Sequence, residues 1–147
     1  MKTITVSTAY LTGAALDWAV AVAVEVWKDA HEWFPTMTLD PSFSGVQPMV
    51  YSDGQAACQL IPNNPFRQDY QIYHPSTGWS QGGPLIPKYM MMVDVFEGTT
   101  EAKATGVYEG CAAAHWTCFG ATPLIAICRA VVGVHFGQTV DVPEVLV

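Results

Sequence analysis

Positive charge is the scarcest property of this chain. Six lysines and arginines stand against thirteen acids in 147 residues, a formal net charge of -7, and only Arg67 and Arg129 are arginines. Proteins that grip a nucleic-acid backbone neutralise several phosphates with Lys and Arg, so direct DNA or RNA binding is not expected. The acids are scattered rather than bunched, which argues against a DNA-mimicking surface. Long apolar runs are missing too. The richest stretch, Ala14 to Trp27, contains Asp17 and Glu25, and a membrane-spanning helix needs roughly 20 apolar residues. The opening MKTITVSTAY has no apolar signal-peptide core, so a cytoplasmic protein with no membrane contact is expected. Cys58, Cys111, Cys118 and Cys128 include no CxxC pair. Without a secretory context they are expected to be buried thiols rather than a disulfide. Cys111, His115 and Cys118 have the spacing of part of a zinc site, but no fourth ligand stands near, and neither metal nor cofactor is expected.

What the chain does have is core material. Half of its residues are hydrophobic and 13% are charged, enough for one domain over residues 1–147. Lys2 to Ser7 alternates Thr3 and Thr5 with Ile4 and Val6, the period of a half-buried strand. A helix is predicted over about 12–28, with Thr12 at its N-cap and Asp17 near the positive end of its dipole. Leu16, Val20, Ala23, Val24 and Trp27 share one face, and Trp18, Ala21 and Val22 make the others nearly apolar. Such a helix must be covered on several sides, by the domain or by a second subunit, and a homo-oligomer, most simply a dimer, is expected.

Five prolines punctuate about 34–66, which reads as an irregular insertion. Lys88 to Phe96 reads as a strand turned by Glu97 to Thr100. Further strands are expected at Thr105 to Tyr108 and Ala112 to Phe119. The second main helix, about 123–136, has Thr122 at its N-cap, Pro123 at its first position and Gly137 past its end. The tail after it can return only as an edge strand, because of Pro143. The fold class is α+β, a mostly antiparallel sheet packed with two main helices.

Between these elements lies HPSTGWSQGGPLIP, residues His74 to Pro87. Its prolines and glycines argue against a helix or regular strand, yet it carries side chains that a connector does not need. Ser76, Thr77, Ser80 and Gln81 offer hydrogen bonds and Trp79 a stacking face. Gly82 and Gly83 let backbone amides approach an anion. Tyr73 precedes the loop. The start of the last helix, Thr122, Pro123 and Leu124, is a second anion-favouring place, with Arg129 further along. Together these twelve residues are the candidate ligand-binding set. In the competing reading, Trp79 plugs the core, Thr122 only caps and Arg129 is solvated. Among His31, His74, His115 and His135 none stands in a recognisable catalytic motif, and no paired carboxylates appear. No catalytic residue is assigned. Asp17 and His74 would meet only if the fold brought the first helix to the loop.

Three stretches, LTGAALDWAVA, HPSTGWSQGGPLI and GATPLIAICRAVV, the last followed by FGQTVDVPEVL, resemble the NinX-like accessory proteins of tailed bacteriophages. The resemblance implies a phage setting inside an infected bacterium and supplies no reaction. With it, the residues point to a protein that binds a small phosphate-bearing or nucleotide-derived molecule without catalysis, as a sponge for a bacterial immune signal would. The alternatives are a protein–protein inhibitor of a host factor and a small hydrolase with an unrecognised site.

Overall fold

The computed structural model describes residues 1–30, 42–64, 71–106 and 114–147. Strand β1 (Thr3–Ser7) pairs antiparallel with β8 (Thr139–Pro143), Thr3 opposite Pro143 and Ser7 opposite Thr139. Its alternation is as expected: Ile4 and Val6 pack against the core while Thr3 and Thr5 face out. A single 3-10 turn, Thr8–Tyr10, leads to α1 (Gly13–Val24). Thr12 occupies the N-cap with extended backbone, but its side chain caps nothing. The helix stops short of the predicted residue 28. Glu25 takes the left-handed conformation (φ 51°), donates its N–H to Ala21 and Val22 carbonyls, and leaves a 3-10 turn over Val26–Lys28.

Residues 43–62 of the expected irregular insertion form a hairpin. β2 (Phe43–Val50) and β3 (Ala56–Pro62) pair antiparallel, and β4 (Gln71–Tyr73) adds to β3. Asp53 and Gly54 make the turn, with Gly54 at φ 88° and the Asp53 carboxylate accepting the Gln55 N–H. The prolines misled because their effect depends on position. Pro48 sits in the edge strand β2 and Pro62 ends β3, so neither removes a bond from the middle of the sheet. Pro35, Pro41 and Pro65 lie outside the described residues.

Two single helical turns follow, α2 (Trp79–Gly82) and α3 (Leu85–Lys88), then the hairpin sheet β5 (Met92–Phe96), β6 (Thr99–Gly106) and β7 (Ala114–Gly120). The strand expected from Lys88 begins only at Met92, since Lys88 completes α3 and Met90 has a positive φ of 47°. The turn is Glu97-Gly98 alone, with Gly98 at φ 78°, and Thr99 and Thr100 already pair in β6. That strand ends at Gly106; Val107 and Tyr108, with the start of the strand expected from Ala112, lie outside the described residues. The last helix, α4 (Pro123–Phe136), matches its predicted bounds, with the Thr122 hydroxyl accepting the Ile125 N–H at 3.2 Å and Gly137 at φ 81° beyond its end.

The layers stack in sequence. The β5-β6-β7 sheet lies on α4, α4 packs on α1, α1 carries the β2-β3-β4 sheet, and the β1-β8 pair closes one side. Ala15 to Ala21 are seven consecutive buried residues, packed by this chain's own β3, α4 and β8, while Val22 of the same helix stays exposed. Leu16, Val20, Ile127 and Val131 are fully buried between the layers, each such side chain contributing about 1.5–3 kcal/mol. Contact between α4 and the sheet is close at Gly133, where an added Cβ would fall 2.0 Å from the Trp116 ring. No helix among the described residues is long and apolar enough to cross a membrane.

Candidate functional site

Residues 74–83 fold as two linked turns. The His74 carbonyl accepts the N–H groups of Thr77 (3.1 Å) and Gly78 (2.9 Å), and the chain then winds into α2. The expectation of a loop without helix is therefore corrected over Trp79–Gly82. Gly82 and Gly83 do not offer outward amides: they donate to the carbonyls of Gly78 and Trp79, both at 2.8 Å, and Gly83 has ordinary right-handed backbone. What Gly82 supplies is room. A Cβ there would lie 2.4 Å from the Pro75 carbonyl oxygen and 2.6 Å from Leu124 Cδ2, so the loop seats directly on the start of α4.

Gln81 is occupied internally. Its side chain accepts the His74 N–H at 2.7 Å and donates to the Ile72 carbonyl, stapling the loop to β4. Tyr73 and Ser76 are buried, while Thr77 and Ser80 are exposed. Trp79 is 55% exposed, so it does not plug the core. It stands out from the loop as a large apolar surface.

Beneath the loop lies a group that sequence reasoning only half saw. Asp17 is the fifth residue of α1, beyond the first turn, and does not serve the helix dipole as expected. It is buried, and its Oδ1 accepts the Ser76 N–H at 2.9 Å. Burial raises its pKa from 3.8 to about 6, against the opposing pull of the Ser76 N–H, the nearby Ser76 hydroxyl and His74. That hydroxyl lies close enough to favour the carboxylate but outside hydrogen-bonding geometry, and Ser76 Oγ is a buried polar atom without a partner among the described residues. Around the carboxyl, burial pushes the Cys58 and Cys128 thiols and the Tyr73 phenol well above their ordinary values, with Asp17 adding to each shift. The loop thus joins α1 through Asp17 and α4 through Leu124. The legible signal was one carboxylate in an otherwise apolar helix.

Arg129 belongs to a different place. Its Nε donates to the Leu11 carbonyl at 2.9 Å and its Nη1 to the Phe119 carbonyl at 2.8 Å, which turns the guanidinium toward β7 and the entry to α1, away from the loop. There it borders an open groove of about 400 Å³ with Ala9, Gly98, Thr99, Ala121 and the outer edge of β7 from Thr117 to Gly120. Phe119 is 55% exposed at this groove. Neither of the two ion pairs among the described residues involves Arg129. The twelve candidate residues therefore divide. Tyr73 to Gly83 meet Leu124, Thr122 and Pro123 start α4 beside it, and Arg129 lies in its own groove.

The cysteine–histidine spacing does not assemble. His115 and Cys118 are three apart in β7, hence on opposite faces, and Cys111 lies outside the described residues. His115 instead meets Thr105 at 3.1 Å, and Cys118 accepts from the Trp116 indole N–H. Among the described residues no three His, Cys, Asp or Glu side chains are grouped to hold a metal.

Among curated proteins, none matches the chain. A family description, bacteriophage P22 NinX, matches residues 7–134, a span that contains α1 with Asp17, the loop of Trp79 and nearly all of α4. Those elements meet in one packed unit, and over most of its length the chain belongs to the bacteriophage P22 NinX family.

Proposed function

We propose that this phage-family protein acts by binding. It holds a small phosphate-bearing, nucleotide-derived molecule without transforming it, and so withdraws an immune signal from its effector in the host cytoplasm. The observation that carries this reading is Arg129. In a chain of net charge -7, one of two arginines lines an open groove and is anchored by two neutral carbonyls. Carbonyl anchors orient a guanidinium without cancelling its charge, and a planar fork so held suits phosphate. The exposed ring of Phe119 beside it supplies a stacking face.

Thermal melts of the purified protein against cyclic dinucleotides and ADP-ribose derivatives test the proposal. A ligand at a hundred times its Kd stabilises the native state by about 2.7 kcal/mol, a readily measured rise in Tm. Recovery of the ligand unchanged supports binding, and its conversion favours the hydrolase alternative. A flat response to every phosphate-bearing compound refutes the reading.

Trp79 favours a second reading, an inhibitor that docks on a host protein. An aromatic of this size, 55% exposed on a stapled loop, has the character of an interface anchor. In that case a host protein co-purifies with the parent chain and is lost with Trp79→Ala. Retention by the variant would remove Trp79 from the contact.

A further inference from the structure

The groove's charge narrows the ligand class, on the reading that the groove is where the ligand binds. Among the described residues Arg129 is the single charged one lining it. A guanidinium has five N–H donors, and here one N–H from Nε and one from Nη1 go to carbonyls. The remaining three are uncommitted among the described residues. The surroundings are acidic. Glu101 stands directly across from Phe119 on β6, with Asp94 beyond it on β5, and Glu97 adjoins Gly98 in the hairpin turn. Lys103, across from Thr117, brings one positive charge to this face against those acids. One anionic group meets a cation here. Beyond Arg129 and Lys103 the face holds more acids than cations, so each added anionic group approaches carboxylates, a like-charge contact that is unfavourable at short range.

We infer that the Arg129 groove is built for a phosphodiester with one negative charge per ring system, a cyclic nucleotide in chemical class, and discriminates against polyphosphates. The diester oxygens take the free edge of Arg129 and the base lies on Phe119. Thr99 and Thr117 border the same space with neutral hydroxyls, which satisfy sugar or base polar atoms without adding charge.

Calorimetric titration of the full chain tests this with three probes: a purine 3′,5′-cyclic monophosphate, the matching nucleoside triphosphate and the unphosphorylated nucleoside. The cyclic diester is expected to bind at least about tenfold more tightly than either other probe, a difference of about 1.4 kcal/mol. Phe119→Ala and Ala121→Glu, both at exposed positions, should each weaken the diester at least about tenfold without changing the melt. A triphosphate that binds as well as the diester overturns the charge argument and leaves the binding reading in place. Diester binding untouched by both variants puts the ligand elsewhere and overturns the site. Binding of none of the three probes, with none of the ADP-ribose derivatives, overturns site and reading together.

Discussion

Replacing Asp17 with Asn should make the protein more stable at neutral pH, although it removes a buried charge that accepts a hydrogen bond. Asn keeps the oxygen that accepts the Ser76 N–H and adds an NH₂ donor beside the unpartnered Ser76 hydroxyl. What it removes is the desolvation of a carboxylate, the main reason the Asp17 pKa stands at about 6 rather than 3.8. At about 1.4 kcal/mol per pH unit, that rise corresponds to about 3 kcal/mol.

The sign follows from proton binding. Below pH 3.8 the carboxyl is protonated in both states and costs nothing. As pH climbs toward 6 the unfolded chain releases this proton first, so unfolding gains and native stability falls. Above about 6 both forms are ionised and the full penalty remains. The cysteines and tyrosine around it are pushed upward and stay neutral through that window. Urea unfolding at several pH values between about 4 and 7 reads the difference directly, because the other acids are shared by parent and variant. The two proteins should have similar stability near pH 4 and diverge by up to about 3 kcal/mol by pH 7, the Asn variant being the more stable. An Asn variant that is weaker at pH 7, or a difference that does not change with pH, would refute the reasoning.

Trp79→Ala should cost less than about 1 kcal/mol in chemical denaturation, since the ring is largely in solvent; a loss near that of a buried tryptophan, about 3–5 kcal/mol, contradicts the exposed placement. Thr122→Ala should cost about 1 kcal/mol through the lost bond to the Ile125 N–H, and an unchanged midpoint would show that cap to be idle. Gly133→Ala sets two effects against each other. Helix propensity favours Ala by about 1 kcal/mol, but the new Cβ falls 2.0 Å from the Trp116 ring, and overpacking costs typically about 1–3 kcal/mol. Net destabilisation with an altered near-UV circular dichroism signal is expected, and a stabilised variant would mean the ring moves freely.

The elements that could be read from sequence were those whose signals are local. α4 carries its cap, its N1 proline and its terminal glycine within the segment itself, and the match was complete. The hairpin over Phe43–Pro62 was missed because a proline forbids only a central strand, and whether a strand is central is decided by neighbours far along the chain. The site divides the same way. The loop and the start of α4 were grouped as one candidate set, and Gly82 against Leu124 brings them into direct packing. Arg129 is five residues past Leu124, about 140° round the helix, so its different direction was computable. The carbonyls of Leu11 and Phe119 that wait there were not. Asp17 was read as a partner of the helix dipole and as a neighbour of His74, not as a buried acid, because no local rule tells a buried carboxylate from a helix-end one.

The pairing of β1 with β8 has a bearing on how the chain folds. Ser7 meets Thr139, and the Thr8 hydroxyl donates to the Gly137 carbonyl, so β1 finds its partner far along the chain. Hairpins such as β2-β3 and β5-β6 need no such closure, as their strands are neighbours along the chain. Until β8 docks, β1 is an open edge with no strand beside it among the described residues. Closure of so long a loop is slow relative to local contacts. Docking of β8, rather than any step within the hairpins, is then the event that closes this fold.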